Sequence, residues 1–228
     1  YDVKLSTSTL QEKIEAGALD GWDDPRAPTI ASLRRRGIRG QAIVDAMVEL
    51  GTSTSNVDLA MSAIYSNNRD AIDEETDRRF FVRDGERFAV EGGPDAATPQ
   101  LHPNYEERGT RDIPVSDAVL LEEGDVPAEG ERVWLKGYGP VRRTADGLEY
   151  TDDDIDVVRE GDVEVVHWVP ADESQPVLLR TMEGDVEGHA EPGIASYETD
   201  EMVQFVRVGF ARIDAHEDDR TVTYYAHP

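Results

Sequence analysis

The spacing of hydrophobic residues changes once along this chain, and the change divides it. Up to about residue 78 they recur at helical intervals. Thr9-Leu10-Gln11-Glu12 reads as a capping box, with Thr9 as N-cap and Glu12 reaching back, and Gly17 and Gly21 close that short helix. Ile30 and Leu33 mark a helix within 29–36. Ile43, Val44, Met47 and Val48 form one apolar face over 40–50, and Gly51 ends it as a C′ residue. Another helix is expected over 58–71, with Leu59, Ala63 and Ile64 facing inward. From Arg79 onward Val, Tyr, Phe and Thr cluster in short runs separated by Gly, Pro and Asp. These predict strands at 80–82, 88–90, 115–121, 133–136, 156–158, 163–169, 177–180, 202–213 and 221–225. Many short strands at such spacing suggest barrels or a sandwich. Glu122-Glu123-Gly124-Asp125 and Asp152-Asp153-Asp154 read as polar turns, and no internal repeat or low-complexity linker stands out.

Composition narrows the setting. Among 228 residues, 49 are acidic and 23 basic, a net charge of −26; the basic residues are 20 Arg and only 3 Lys. An acidic surface starved of Lys suits molar salt, where the Debye length is about 3 Å and self-repulsion is screened. In dilute buffer the same surface works against the fold. The periodic apolar residues separate this chain from a disordered acidic one. Cysteine is absent, so there is no disulfide framework and no thiolate metal site. No run approaches 18 apolar residues, and Tyr1-Asp2-Val3-Lys4 has no signal-peptide pattern; a cytoplasmic protein is the simplest reading. Acidity does not exclude an RNA partner. In molar salt counterion release contributes little, so recognition must rest on hydrogen bonds, stacking and shape, for which Arg is better built than Lys.

Gly21-Trp22-Asp23-Asp24-Pro25-Arg26 follows Leu5-Ser6-Thr7-Ser8 and precedes Pro28-Thr29 and Leu33-Arg34-Arg35-Arg36-Gly37-Ile38. Further anchors are Asn68-Arg69, Ile72-Asp73, Leu101-His102-Pro103-Asn104, Arg108-Gly109, His167-Trp168-Val169-Pro170, Gln204-Phe205 and Arg207-Val208-Gly209-Phe210. Together they resemble the archaeal-type glutamyl-tRNA synthetases, which share their C-terminal architecture with glutaminyl-tRNA synthetases. The resemblance covers nearly the whole chain. It implies an α+β multidomain fold: the end of a catalytic core with a signature loop (1–20), a helical stem-contact region (21–78) and two β-barrels. The proximal barrel would be discontinuous (79–121 and 200–228), with the distal barrel inserted (122–199). The nucleotide-binding fold would precede residue 1.

What the resemblance implies for function is the tRNA- and anticodon-binding portion of a ligase that attaches glutamate to tRNA. ATP, with magnesium, would be used by the full enzyme only, and this fragment alone would be inactive. The implied partners are tRNA for glutamate, with tRNA for glutamine as a further candidate, and the upstream catalytic domain; neither membrane nor DNA is expected. Two rival readings are a free-standing RNA- or ribosome-associated barrel module without catalysis and an acidic protein-interaction domain.

By resemblance, Ser6, Thr7 and Ser8 hold the place of the loop that closes over ATP, and hydroxyls and N–H groups before a helix suit a triphosphate. Most relatives carry Lys where this chain has Thr9. The bland alternative is an ordinary helix cap. Arg34-Arg35-Arg36 and Arg39 are the densest positive cluster, read either as phosphate contacts or as a solvated helix end. Anticodon bases, splayed and unpaired, call for Arg, Asn and Gln with stacking partners. The matching positions are Arg78, Asn104, Lys136, Gln204 and Arg207, and Trp134 stands where glutaminyl relatives have Arg. Gln204 and Arg207 are three apart, so a regular strand would face them oppositely unless a bulge intervened. The five histidines show no metal spacing on one element, Asp152 to Asp156 lacks the features of a calcium loop, and Trp168 reads as core. No metal site and no catalytic residue is assigned.

Overall fold

In a computed structural model the described residues are 7–51, 61–115, 117–153, 155–160 and 163–228. Ser6, Leu59, Ser116 and Asp154 therefore lie outside them. The N-terminal part holds α1 (Thr7–Glu15), α2 (Ile30–Arg35), α3 (Gly40–Leu50) and α4 (Met61–Ile72). α1 already includes Thr7 and Ser8, so Thr9 sits inside the first turn and not at the N-cap. Gly17 alone ends α1: at φ 70° its N–H donates to Ile14 O, and the Ala18 N–H donates to Lys13 O. That is the paired bonding of a left-handed C-cap; Gly21 lies beyond it. Thr29 caps α2, its Oγ1 accepting the Ser32 N–H at 3.0 Å.

Of the apolar face expected on α3, Ile43 packs against the core and the rest is turned outward. Val44, Met47 and Val48 are exposed, while Ala42 and Ala46 are buried. Small residues on the buried side let α3 approach α4, which presents Ile64, Asn68 and Ile72 at helical spacing. These helices pack on Phe210 and Ala226 from the strand region.

The strands come in two runs. The first is β1 (Asp77–Arg79), β2 (Phe81–Arg83), β3 (Glu86–Glu91), the short pair β4 (Ala96–Ala97) and β5 (Ile113–Pro114), β6 (Ala118–Leu121), β7 (Arg132–Leu135), β8 (Gly139–Arg143) and β9 (Leu148–Tyr150). The second is β10 (Glu164–Val166), β11 (Val169–Pro170), β12 (Gln175–Arg180), β13 (Asp185–Ala190), β14 (Met202–Phe205), β15 (Gly209–His216) and β16 (Thr221–His227). Between the runs, the strand expected at 156–158 is instead a helical turn, α5 (Asp156–Arg159). There the Ile155 carbonyl accepts the Val158 and Arg159 N–H groups, and Asp156 pairs with Arg159 at 2.8 Å.

Two seven-stranded sheets result, in the orders β1-β14-β15-β16-β12-β13-β2 and β10-β7-β8-β9-β3-β6-β11. Replacing each strand by its counterpart in the other run converts one order into the other. The sequence shows no repeat, yet the topology is duplicated. The first two strands of each run have been exchanged, so each joins the sheet built from the rest of the other run. Closure follows from connectivity. β1 and β2 lie at opposite edges of one sheet yet are joined through Phe80 alone, and β10 and β11 are joined through His167 and Trp168. A sheet whose edges are one or two residues apart must curl into a barrel.

The expected barrel limits, 79–121 with 200–228 and 122–199, do not follow sheet membership. Strands β12 and β13 (175–190) lie with the C-terminal hairpin, and β3 and β6 lie with β7 to β9. The exchanged segment serves both interiors through its alternation: Phe81 enters one core, with Val203, Phe205 and Ile213. Phe80 and Val82 enter the other, with Phe88, Leu121, Leu135 and Trp168. Trp168 is core, as its sequence context suggests.

Candidate nucleic-acid interface

The strand expected over 202–213 is a hairpin, and this settles how Gln204 and Arg207 relate. Val203 and Phe205 point into the barrel, so Gln204 points out. The strand stops at Phe205; Val206 to Val208 form the turn, with the Val208 N–H donating to Phe205 O. Arg207 therefore needs no strand bulge, because it sits on the turn at φ 66°. The counterpart turn in the other barrel is Lys136-Gly137-Tyr138, with Gly137 at φ 78°. The parallel pairs agree residue by residue: the Val206 N–H donates to Arg79 O and the Lys136 N–H to Val166 O, both at 2.9 Å. Lys136 thus lies in a turn and not at the end of a strand. A side chain in the left-handed region is unfavourable beside glycine.

Three of the expected residues, Arg78, Gln204 and Lys136, come together, and Asn104 lies on the adjoining loop. Arg78 and Gln204 are direct register partners on β1 and β14, and Gln204 is in turn opposite Phe210. The Arg78 guanidinium donates to Asp73 Oδ1 at 2.5 Å and to Thr76 O at 3.1 Å, and lies 5.7 Å from the Phe210 ring centroid. The loop 98–104 links this face to the other barrel: the Arg78 N–H donates to Leu101 O, and a Cβ built on Gly137 would lie 2.7 Å from Pro99 Cβ. On this loop Asn104 is exposed, and its backbone N–H donates to Nδ1 of buried His102. The Lys136 side chain is solvent-accessible yet crowded by protein. Desolvation, then Arg111 and Arg78, hold its ammonium below the usual lysine value. An ammonium with no partner among the described residues is suited to an anion or to the acceptor edges of a base. Trp134, where the resemblance would have Arg, is half-buried opposite Val165.

Arg207 stands apart from these four. Its Nη1 donates to Asp125 Oδ2 at 2.5 Å and approaches His167 Nδ1 at 3.5 Å. It borders a recess of about 430 Å³ shared with Arg83, Met182 and Tyr225. The stretch read as a polar turn, Glu122 to Asp125, is a 3₁₀ turn whose Asp125 is buried. Nothing in its local sequence marks Asp125, because its partners lie 42 and 82 residues away. Glu122, Asp125 and His167 converge within 4.8 Å, a spacing open to a metal. Their atoms are already committed: Arg83 donates twice to Glu122, Arg207 takes Asp125, and His167 Nε2 donates to Phe81 O at 2.8 Å.

The arginine cluster divides. Arg36 is buried and donates to Tyr225 O, Ala226 O and the Tyr65 hydroxyl, so it joins helix to barrel and cannot meet phosphate. Arg35 pairs with Asp23 and Asp214, and Arg39 with Glu75. Arg34 is exposed, on a recess of about 620 Å³ that Arg39 and Arg212 also line. Thr7 and Ser8 are exposed at the start of α1.

A family model described as "tRNA synthetases class I (E and Q), anti-codon binding domain" matches residues 76–159, and a second with the same description matches 165–214. The two matches fall on the two runs of strands. The chain is 65% identical over 228 residues to the glutamate–tRNA ligase of Natronomonas pharaonis, covering 100% of this chain and 40% of that protein. It is 61% identical over 237 residues to that of Haloarcula marismortui, covering 100% of this chain and 41% of the relative. It is 38% identical over 230 residues to that of Methanosarcina acetivorans, covering 98% and 40%. The chain thus spans about two-fifths of the length of these relatives. Matched along both runs of strands and at high identity from end to end, the chain belongs to the class I tRNA synthetases of the E and Q type, in the part that carries their anticodon-binding domain.

Proposed function

We propose that this chain is the tRNA-gripping part of a glutamate–tRNA ligase, and that the seam between helices and barrels receives the anticodon. The observation that carries this reading is the convergence of Arg78, Gln204 and Lys136 on one accessible face, with Asn104 on the adjoining loop. In a chain of net charge −26, almost every described arginine is tied to a carboxylate or a carbonyl. A face that sets Lys136, whose ammonium has no partner among the described residues, near Arg78 and Gln204 is therefore distinctive. Bases would be read by hydrogen bonds from Arg78, Gln204 and Lys136, and Arg207 would contact a neighbouring nucleotide. That the relatives are glutamate–tRNA ligases supports extending the reading to the full-length protein, which would join glutamate to tRNA with ATP as co-substrate. Ser6, Thr7 and Ser8 would then border the nucleotide. Glutamate tRNA is the proposed partner, with glutamine tRNA as the second candidate.

Nuclease footprinting of both tRNAs in molar KCl tests this, with Arg78→Ala, Gln204→Ala and Lys136→Ala beside the unaltered protein. Protection of anticodon nucleotides that each variant weakens is expected. Full-strength protection confined to the acceptor stem, or none, overturns the proposal. The affinity should also fall only shallowly as salt rises, since hydrogen bonds and stacking carry it.

A further inference from the structure

We propose that Asp73 and Asp125 are positioning residues for tRNA reading, each holding one RNA-facing guanidinium, Arg78 or Arg207, in its working orientation before the RNA arrives. The inference rests on the reading that this seam binds the anticodon. Its basis is an arrangement that occurs twice. Arg78 Nη2 donates to Asp73 Oδ1 at 2.5 Å, and Asp73 Oδ2 lies 3.4 Å from Nε2 of His102, which is 0% exposed. Arg207 Nη1 donates to Asp125 Oδ2 at 2.5 Å, and the same carboxylate lies 3.7 Å from Nδ1 of His167, whose side chain is 1% exposed. Each aspartate belongs to a 3₁₀ turn, Asp73–Glu75 or Glu123–Asp125.

The duplicated topology does not relate the two triads. Arg78 on β1 corresponds to Val165 on β10, and Arg207 to Gly137. The arrangement has therefore been built separately around two arginines expected to touch RNA. His102 Nδ1 accepts the Asn104 N–H, so its proton is on Nε2, on the side of Asp73. His167 Nε2 donates to Phe81 O, and its Nδ1 faces both Asp125 and Arg207. Burial pushes the pKa of both imidazoles down, which favours the neutral form.

The chemistry asks for such bracing. A free arginine side chain loses much rotamer freedom when it docks, and a guanidinium already held loses less. In molar salt, long-range attraction to phosphate is screened and cannot compensate. One edge of each fork is taken by aspartate. The Nε and Nη2 donors of Arg207 have no hydrogen-bond partner among the described residues. A carboxylate beside the reading edge also disfavours a base that presents an acceptor there. Asp73 and Asp125 would thus affect which anticodon is accepted, as well as how tightly.

The test measures tRNA binding by the full-length protein in molar KCl. The probes are a glutamate tRNA transcript with its own anticodon and one with all three anticodon bases replaced. Asp73→Asn and Asp125→Asn should each weaken the intact transcript by roughly five- to tenfold, the scale of one orienting hydrogen bond. They should leave the replaced transcript unchanged. Asp73→Asn should add nothing once Arg78 is Ala, nor Asp125→Asn once Arg207 is Ala. Asp73→Glu, which restores the charge, should recover part of the loss. Asp172→Asn, which removes the partner of Arg87 in an exposed pair, should change nothing. Equal weakening of both transcripts, or losses that add to the arginine losses, overturns the positioning role while leaving anticodon binding intact. If the unaltered protein binds both transcripts equally, the parent reading fails and this one with it. Thermal melts of each variant, at matched fraction folded, keep a folding defect from imitating either result.

Discussion

Phe80 and His167 occupy the same place in the two runs, where the chain leaves one edge of a barrel and starts the other. The two crossovers are sealed differently. At Phe80 the seal is Glu191, which is 0% exposed: it accepts the Phe80 N–H at 3.0 Å, Arg79 at 2.8 Å and both Nε and Nη2 of Arg111. At His167 the seal is an imidazole bonded to Phe81 O, with Asp125, Glu122 and the half-exposed Arg207 around it. The crossovers touch each other, since Phe81 and His167 belong to opposite ones. A shared topology fixes where a polar plug is needed and leaves its chemistry free. One plug is a buried knot of fixed charges. The other contains an imidazole whose pKa burial pushes down and an arginine that reaches solvent.

The largest expected effect separates these plugs. Glu191→Ala strands two guanidiniums and a backbone N–H, and should cost about 3–5 kcal/mol. His167→Gln keeps a donor and should cost about 1 kcal/mol. Chemical denaturation in molar KCl reads both, and equal losses would erase the distinction between the two crossovers.

Much of this was legible in the sequence, and the failures have physical causes. The change from helical to strand spacing near residue 78, the glycine that ends α1 and the core role of Trp168 all rest on local patterns, which survive folding. The α3 face was misjudged at Val44, Met47 and Val48, because large apolar residues outweighed two alanines in a periodicity argument. Close packing against α4 favoured the alanines. The duplication could not be read because its two runs share hydrogen-bond positions and few side chains: Arg207 corresponds to Gly137, and Asp200 to Gly130. The candidates Arg78, Asn104, Lys136, Gln204 and Arg207 come from resemblance, and only the fold shows that Arg78 and Gln204 are register partners. Asp73, Asp125, His102 and Glu191 were missed as partners, since each meets a residue that only the fold brings near.

The two hairpin turns give the next comparison. Gly137 is held at φ 78° against Pro99, and an added Cβ would lie 2.7 Å from Pro99 Cβ and 3.1 Å from its Cα. Gly137→Ala should therefore cost about 2–3 kcal/mol, from left-handed strain and overpacking together. The equivalent position already carries Arg207, so Arg207→Ala adds no such strain. If Gly137→Ala melts like the unaltered protein, the turns are not under different constraints.

Acid should reach one plug first. Burial holds His167 below its ordinary value despite the opposing Phe81 bond, Glu122 and Asp125, and it does the same for His102 and His227. Each folded pKa is depressed, so the unfolded chain binds more protons below about 6.5. Stability is then fully present above that value and declines as pH falls below it. Melting temperatures in molar KCl should drop between pH 7 and pH 5, and His167→Gln should make the drop shallower. A slope indifferent to His167→Gln would remove the titrating plug.

The smallest effect is also the cleanest reading of the duplication. Gly130 (φ 86°) and Asp200 (φ 77°) hold the same place before β7 and β14. Gly130 donates to Arg143 O, whose own N–H returns to Glu131 O; Asp200 donates to Ile213 O, whose N–H returns to Glu201 O. Asp200→Gly relieves about 1 kcal/mol of left-handed strain, though aspartate tolerates that region better than most residues. Against this stand the added freedom of glycine in the unfolded chain and an ion pair to Arg212 in which Asp200 is 80% exposed, together about 0.5 kcal/mol. The net should be about 0.5 kcal/mol of stabilisation, a rise of roughly 1–2 °C in Tm at this chain length. Nothing lies within 4 Å of a Cβ built on Gly130, so Gly130→Asp meets no clash and should lower Tm by a similar amount. Shifts of the same sign in both variants would mean that side-chain surroundings, and not the shared backbone conformation, set the residue at these paired positions.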